Sequence, residues 1–326
     1  MPGKETNFIS MRCITLESDN PFFNLAVEEV LLKNSKEDYL LLGINKSSVI
    51  IGKHQSAHRE VNTKFITEND IPVIRRITGG GTVFHDKGNL NFTFIKQSES
   101  GKQIDFQKYT LPVIEFLSSI GVEAKFEGKN DLKVGGYKIS GNAEHVYRNR
   151  VLHHGTILFS ASLDLLRNSI RKDKSGYTTR AVESNPSSVM NLNEKLSGFR
   201  DIYDLRSEMM KYFLQTIPGA EIYNLGPEDI KAADLLAETK YKSWEWNWAY
   251  GPEYTFKNSF QFNGSQVSCK LYIKDGIIIN CTIDGSREML SFADKLVDCR
   301  HMVADISRVF KEENITVSEE VIYNFF

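Results

Sequence analysis

At 326 residues the chain is long enough for two domains, or for one large domain with an appendage. Its 41% hydrophobic and 25% charged content is ordinary for a globular protein, and a formal net charge of −2 excludes a global attraction to nucleic acid or an anionic membrane, so any anion site must be local. Four scattered cysteines without a Cys-x-x-Cys pair argue against a disulfide scaffold or a cysteine zinc site and fit a reducing compartment; with no membrane-length apolar run and no signal-peptide pattern, the expectation is a soluble, cytoplasmic protein, monomeric by default.

Residues 11–16 read as a short strand. Asn20-Pro21 opens a helix, a capping side chain followed by proline at the first helical position, and Phe22, Phe23, Ala26, Val27, Val30 and Leu31 carry it to about Lys33 at helical spacing. Strands follow over Tyr39 to Leu42 and Ser48 to Gly52, then a charged helix near 59–69. Ile74 to Phe94 is the most distinctive stretch. Gly79, Gly80 and Gly81 interrupt residues that otherwise read as strand, with Arg75 and Arg76 before them. After the glycines come Thr82-Val83-Phe84, a turn at Asp86 to Asn89, and a strand in which Leu90, Phe92 and Phe94 share one face. Glycines let a backbone approach a ligand closely, and exposed N–H groups beside arginines suit an anion, although a plain glycine-rich turn fits the glycines equally well. Neither a P-loop nor a dinucleotide fingerprint fits, because these glycines open a strand and not a helix.

Asp105 caps a helix to Ile120 that stops at Gly121, with Pro112 expected to kink or split it. Two or three strands are expected over 122–159, a short helix over 163–171, a polar loop over 172–190, and amphipathic helices over Asp201 to Thr216 and Pro227 to Thr239. The run Trp244 to Trp248 and Gly251-Pro252 marks a domain seam. Beyond it Tyr254–Phe262, Gln266–Lys274 and Ile277–Ile283 read as antiparallel strands, followed by a helical and then mixed tail.

Gly135-Gly136 between alternating runs predicts a two-residue hairpin. Its simplest register sets Val134 opposite Tyr137, Lys133 opposite Lys138, Leu132 opposite Ile139 and Asp131 opposite Ser140, with Leu132, Val134, Tyr137 and Ile139 on an apolar face. Two lysines directly opposite repel; a bound anion relieves the conflict, and so does splaying into solvent. His153 and His154 are adjacent on a strand and point to opposite faces, so they do not share a metal. His54 and His58 have helical zinc spacing but no third ligand, and no Gly-x-Ser-x-Gly supports a serine hydrolase.

Arg75-Arg76-x-Thr-Gly-Gly-Gly-Thr-Val-Phe-His-Asp-x-Gly-Asn, Gly128-x-Asn-Asp-Leu, Lys138-Ile-Ser-Gly-Asn-Ala and His153-His-Gly-Thr-Ile-Leu, in this order and with the helix Phe23 to Glu29 and the Trp244 seam, resemble the lipoate–protein ligase A family of the biotin/lipoate protein ligase superfamily. The resemblance implies an α+β fold: a biotin/lipoate ligase-like catalytic domain over 1–248, with mixed β-sheets flanked by helices, and a small α+β C-terminal accessory domain over 253–326. It implies that lipoate and ATP, with Mg²⁺, form lipoyl-AMP, and that the acyl group then passes to a lysine of a carrier, such as a 2-oxo-acid dehydrogenase E2 lipoyl domain or glycine-cleavage H protein. Residue by residue, it makes Lys138 the catalytic lysine that touches phosphate and acyl carbonyl. Arg76, Gly80, Gly81, Thr82, Val83 and Phe84 become the nucleotide- and lipoyl-contacting stretch, completed by His85 and Asn89. Asn130 and Asp131 stand beside the adenylate, with Asp131 a Mg²⁺ contact, and His154 and Thr156 form a wall of the lipoyl tunnel. The sequence departs from the family over 179–192, where two arginines of the adenylate-covering motif are absent and Arg180 and Lys174 are the nearest substitutes, and at His145, where some members carry arginine. The alternatives are a lipoyltransferase fed with lipoyl-AMP and a non-catalytic carrier-binding subunit.

Overall fold

The computed structural model describes residues 10–98 and 104–326. In chain order the strands are β1 (Met11–Leu16), β2 (Asp38–Ile44), β3 (Ser48–Ile51), β4 (Val73–Arg75), β5 (Val83–His85), β6 (Asn89–Gln97), β7 (Lys125–Glu127), β8 (Asp131–Val134), β9 (Tyr137–Tyr147), β10 (Arg150–Leu158), β11 (Tyr177–Thr179), β12 (Ala220–Ile222), β13 (Tyr254–Phe262), β14 (Ser265–Lys274) and β15 (Ile277–Asp284). The helices are α1 (Pro21–Asn34), α2 (Ala57–Glu60), α3 (Thr63–Glu68), α4 (Phe106–Ser119), α5 (Leu163–Ser169), α6 (Ile202–Thr216), α7 (Pro227–Leu236), α8 (Arg287–Leu296), α9 (Val303–Glu312) and α10 (Glu319–Tyr323). The architecture is mixed α and β, with three sheets flanked by helices.

The large sheet has the order β12-β1-β2-β6-β10-β9-β8-β7. Period-two alternation sorts its side chains. Leu40, Leu42 and Ile44 of β2 join Leu90, Phe92 and Phe94 of β6 in a core closed by Val113, Phe116 and Leu117 of α4 and Leu205, Met209 and Phe213 of α6. Tyr39 and Leu41, on the other face of β2, pack with Ile95, Leu152 and the helix α1. Buried on both faces, β2 reads as a continuous apolar run, and α1 is buried nearly all round. Helix α1 starts where the sequence places it: Asn20 Oδ1 accepts from Phe22 N at 3.1 Å with Pro21 behind it, a cap whose removal costs about 1 kcal/mol.

Above the second face lies a three-stranded sheet, β4-β3-β5, with β3 parallel to β4 and antiparallel to β5. The triple glycine joins β4 to β5 across it. The third sheet, β11-β13-β14-β15, packs with α8, α9 and the C-terminal Phe325 and Phe326 around its own core.

Several expectations need correction. Four strands, β7 to β10, occupy the 122–159 region, and the polar 172–190 stretch contains β11, which pairs with β13 through Tyr177–Phe256. The charged helix near 59–69 is two short helices, with Asn62 capping the second. Helix α4 runs unbroken past Pro112. Helix α7 gives way at Ala237 to a wider π turn. Among the described residues no helix is long and apolar enough to cross a membrane.

The hairpin also differs from its simplest register. Gly135 (φ 57°) and Gly136 (φ 84°) make the turn, with Val134 opposite Tyr137 and Lys133 opposite Lys138. A bulge then shifts the pairing by one, so Leu132 meets Ser140 and Asp131 meets Gly141. Leu132 and Ile139 are both fully buried, whereas Tyr137, at the turn, is 52% exposed and belongs to no apolar face.

Candidate active site

Sheet register builds the floor of the site. Leu16, Gly43, Asn91 and Thr156 stand side by side across β1, β2, β6 and β10, Gly141 N–H reaches Thr156 Oγ1 at 3.4 Å, and Asp131 pairs with Gly141. The adjacent row is Ile14, Leu41, Thr93, His154 and Ala143. Small and polar side chains replace bulky ones in the middle of both rows, so the overlying elements cannot close on the sheet. The result is a cavity of about 680 Å³ roofed by α1, the triple-glycine loop and residues 182–187. Its lining changes along its length, from Lys138, Asp131, Asn130 and Lys129 on one side to Leu16, Leu25, Leu41 and Ile50 on the other.

At the polar end Lys138 Nζ lies 2.8 Å from Asp131 Oδ1, while Lys133 Nζ lies 3.1 Å from Glu127 Oε2. Each facing lysine therefore has its own carboxylate, which removes the repulsion the hairpin register creates. Gly141 is where the Lys138 side chain passes: a Cβ there would stand 3.1 Å from both Cε and Nζ. The Lys138 backbone is gripped by the segment beyond β11, donating to Ser188 O and accepting from Met190 N. Asn130 donates from its side-chain amide to Asn142 O, and Asn142 returns bonds from its N and Nδ2 to Asn130 O.

The two arginines donate to backbone carbonyls. Arg75 is fully buried and donates to the carbonyls of Gly52, Lys53, Gln55, Trp246 and Asn247, with Asn247 Oδ1 accepting from its own N–H. It fastens the Trp244 seam to β3 and β4. Arg76, 4% exposed, donates to Ile50 O, Gly79 O, Gly81 O and Thr78 Oγ1. Burial lowers these guanidinium pKa values to about 9 and about 10, which still leaves both charged at neutral pH. Because a peptide's C=O and N–H point in opposite directions, turning Gly79 O and Gly81 O onto Arg76 turns the N–H groups of Gly80 and Thr82 away from it. Gly80 sits at φ 85°, and its carbonyl packs so closely on Gly52 that a Cβ there would lie 2.1 Å away.

A relay runs from Arg76 to α1. Thr78 Oγ1 accepts from Arg76 Nε and lies 2.8 Å from His154 Nε2; His154 Nδ1 lies 2.9 Å from Glu28 Oε2; and Thr93 donates to Glu28 Oε1 at 2.6 Å. With Thr78 donating to Nε2, the imidazole proton sits at Nδ1 against the carboxylate. His85 is anchored separately, its Nδ1 3.0 Å from Asn45 Nδ2, and burial lowers its pKa to about 3, so the ring is neutral.

The 179–192 segment lies against the cavity through Ser184. Its Oγ accepts from Thr82 N at 2.8 Å and donates to Glu60 Oε2 at 2.6 Å, and Gln55 Nε2 reaches it at 3.0 Å. Glu60, fully buried, also accepts from Lys174, and Arg59 pairs with Glu183. Lys174 is thus bonded to Glu60 and does not line the cavity.

Arg76, Gly80, Gly81, Thr82, Val83, His85, Asn130, Asp131, Lys138, His154 and Thr156 all line the cavity. Phe84 and Asn89 do not. Strand alternation puts Val83 and His85 inward and sends Phe84 into the core of Val49, Ile51 and Ile66. Asn89 is buried behind Asn91, donating to its Oδ1 at 2.8 Å. Sequence reading missed Glu28, Asn24, Asn45, Glu60 and Ser184. The buried glutamates carried a signal, since Glu28-Glu29 sits inside an otherwise apolar helical pattern; the others look like ordinary loop and cap residues. None of the four cysteines lines the cavity, and His58 is held by Thr63 Oγ1 and His301 O rather than by any metal-ligand group. Among the described residues no cluster of three His, Cys, Asp or Glu side chains could hold a metal ion.

The profile of the lipoyl protein ligase A/B catalytic domain matches residues 20–214. The chain is similar to lipoate–protein ligase 1 of Staphylococcus aureus, 36% identical over 317 residues that cover 94% of each chain. Among solved structures it resembles Plasmodium falciparum LipL1 in complex with lipoate, at 26% identity and TM-score 0.60, covering 93% of this chain and 94% of that one. It also resembles a lipoate–protein ligase A bound with ATP, at 25% identity and TM-score 0.62, covering 73% and 98%.

Proposed function

We propose a two-step acyl transfer for this chain, which belongs to the lipoate–protein ligase family, and we place both steps in the cavity between Lys138 and Leu16. A lipoate carboxylate oxygen attacks the α-phosphorus of ATP, the bond to the β-phosphate oxygen breaks, and pyrophosphate leaves. A carrier lysine amine then attacks the acyl carbon of lipoyl-AMP. The acyl–phosphate bond breaks, AMP takes the electron pair, and the new amide nitrogen sheds a proton. The carriers are E2 lipoyl domains and glycine-cleavage H protein.

The observation that carries this reading is the gradient of the cavity: an ammonium at one end, an apolar pocket at the other, and a length to match. Gly141, which the Lys138 ammonium overlies, and Gly43 are three strand spacings apart, or about 14 Å. That suits an eight-carbon acid lying extended with its carboxylate at Lys138. Lys138 neutralises charge first on the α-phosphate and then on the acyl oxygen. Asp131 holds the ammonium at the hairpin and exchanges it for the phosphate on binding. The Gly80 N–H, aimed away from Arg76, forms the loop side of the nucleotide site, beside the Thr82 N–H that Ser184 Oγ holds. Arg76 acts through the loop's geometry, while Asn130 brackets the phosphate and His154 and Thr156 the acyl chain.

Mg²⁺ fits as an ion carried in by the nucleotide phosphates: of the three carboxylates that line the cavity among the described residues, Glu28 is bonded to His154 and Thr93 and Glu183 to Arg59, which leaves Asp131 beside Lys138. Bound there, it would supply charge neutralisation at the phosphates; the protein's part is Asp131 as one oxygen ligand. The segment 253–326 is proposed as an accessory domain that carries no reacting group.

Lipoate-dependent ATP–pyrophosphate exchange tests the reading. Exchange that requires lipoate is the expected result. Transfer of added lipoyl-AMP to an acceptor domain without any exchange would convert the assignment to a lipoyltransferase, and binding of an acceptor domain with neither activity would leave only a carrier-binding role.

A further inference from the structure

On the face of the large sheet that α4 covers, opposite the cavity, lies a buried polar chain. His153 is fully buried in the row Phe94, His153 and Glu144, and its ring stacks on Phe92 and Tyr109 at centroid distances of 6.1 and 5.3 Å. Its Nδ1 lies 2.9 Å from Glu144 Oε1 and its Nε2 lies 3.2 Å from Asn142 Oδ1. Glu144 Oε2 accepts from Asp105 N, just before α4, at 3.0 Å. Asn142 Nδ2 donates to Asn130 O at 3.0 Å. Because a backbone carbonyl can only accept, that bond fixes the Asn142 amide with Oδ1 toward His153, so His153 Nε2 carries a proton. Asn142 in turn grips Asn130 three times: its N and Nδ2 both donate to Asn130 O, and its own O accepts from Asn130 Nδ2. Asn130 belongs to the turn between β7 and β8, with Lys129 and Asp131 on either side, and all three line the polar end of the cavity. A purely structural core has no use for this chain, since an apolar side chain at position 153 would fill the aromatic stack without a desolvation cost.

We propose that Glu144, His153 and Asn142 are positioning residues: from the far side of the sheet they set the Asn142 amide, and through it they hold Asn130 and the β7–β8 turn in place for the nucleotide. The inference rests on the ligase reading and adds to it residues that act through Asn130. An Asn142 amide turned end over end would set Oδ1 against Asn130 O, two acceptors face to face, and release the turn. The acyl end, lined by Leu16, Leu41 and Ile50, is the opposite end of the cavity, so the effect falls on the nucleotide and spares lipoate.

The test uses the full-length chain and lipoate-dependent ATP–pyrophosphate exchange. Asn142→Asp keeps the side-chain shape and the acceptor for His153, but replaces the donor to Asn130 O by a second acceptor. Its KM for ATP should rise about tenfold, the scale of one lost hydrogen bond, with KM for lipoate within about twofold of wild type. Damage to the fold alone would lower kcat and leave both KM values unchanged. Glu144→Leu should show the same split more weakly, and Glu144→Gln, whose amide donates to Nδ1 and accepts from Asp105 N, should reverse it. Without that rescue Glu144 has no part in the chain and the proposal as stated fails. An unchanged KM for ATP in a folded Asn142→Asp, or equal shifts for ATP and lipoate, overturns it as well. Ring-nitrogen NMR of the wild type reads the His153 tautomer directly: a proton at Nε2 is expected, and a ring protonated at Nδ1 alone overturns the proposal even if every variant fails to fold. A wild-type chain without lipoate-dependent exchange defeats the ligase reading itself, a failure that the tautomer, read without substrate, keeps distinct from this one.

Discussion

Two cation pairs, Arg75-Arg76 before the triple glycine and Lys133/Lys138 across the hairpin, look alike in the sequence, and the fold uses them in opposite ways. The arginines are interior and meet backbone carbonyls on nearly every donor. Each lysine meets one carboxylate at a partly exposed position. The difference follows from the side chains. A guanidinium has five N–H donors in a rigid fork and can organise several carbonyls at once, whereas an ammonium is a compact charge that trades one partner for another at little cost. The glycine loop therefore gains a fixed shape from its arginines, and the hairpin gains an exchangeable charge from Lys138. The arginines beside the glycines bond to backbone carbonyls and shape the loop, and the ammonium at the polar end of the cavity comes from the hairpin across from it.

The largest effect should come from breaking the scaffold. Arg75→Ala takes the guanidinium from five carbonyls, of which Gly52 O keeps Gln55 N as a donor, so destabilisation of about 3 kcal/mol is expected in urea unfolding. A variant of wild-type stability that had lost only activity would place Arg75 on the ligand side after all. Next comes Lys138→Ala. Turnover should drop roughly 10²-fold, the scale of losing one charge-stabilising donor, with the unfolding midpoint close to wild type. Near-normal exchange by that variant would take Lys138 out of the mechanism.

What was legible in the sequence follows the same division. Alternation along β6, the Asn20-Pro21 helix start and the Gly135-Gly136 turn are local rules, and the chain obeys them. The partners of Arg75 were invisible, because Gln55 lies 20 residues away and Trp246 171. The hairpin bulge was equally hidden: it changes which residues face each other without changing which are apolar, since Leu132 and Ile139 stay buried in either register. The three-residue strand β11 exists only because β13 offers an edge, and no periodicity develops over so short a run.

Acid should weaken the interior through its buried histidines. His85 is held near pKa 3 by burial and by the nearby His154 and Arg76, and burial holds His301 near 4. Both are neutral when folded but titrate near 6.5 when unfolded, so the unfolded state binds more protons as pH falls below 6.5 and stability declines until the folded values are reached. Each histidine contributes a slope of up to about 1.4 kcal/mol per pH unit in that window. Unfolding midpoints measured from pH 7.5 to 4.5 check this, and a flat profile below pH 6.5 would mean that these rings are not neutral inside.

Ser184→Ala should have a smaller effect, confined to the segment it pins. Losing its bonds to Thr82 N and Glu60 removes about 1–2 kcal/mol of local docking, read as faster amide hydrogen exchange over residues 180–187 with global stability retained. Unchanged exchange there would show that the segment is held instead by its backbone pairing to Lys138.

The smallest effect separates the two lysines themselves. Lys133 faces Lys138 directly across the hairpin, yet its ammonium turns to Glu127 and it does not line the cavity. If proximity to the site were what mattered, Lys133→Ala would lower turnover in step with Lys138→Ala. If the carboxylate partner decides where each charge goes, removing Lys133 deletes only a partly exposed ion pair worth about 0–1 kcal/mol and also a like charge opposite Lys138. Turnover within about threefold of wild type is therefore expected, since even the upper end of that range corresponds to less than a tenfold effect. A loss approaching that of Lys138→Ala would mean that both ammonium groups reach the substrate, and the contrast between a scaffold of arginines and a single working lysine would have to be redrawn around the pair.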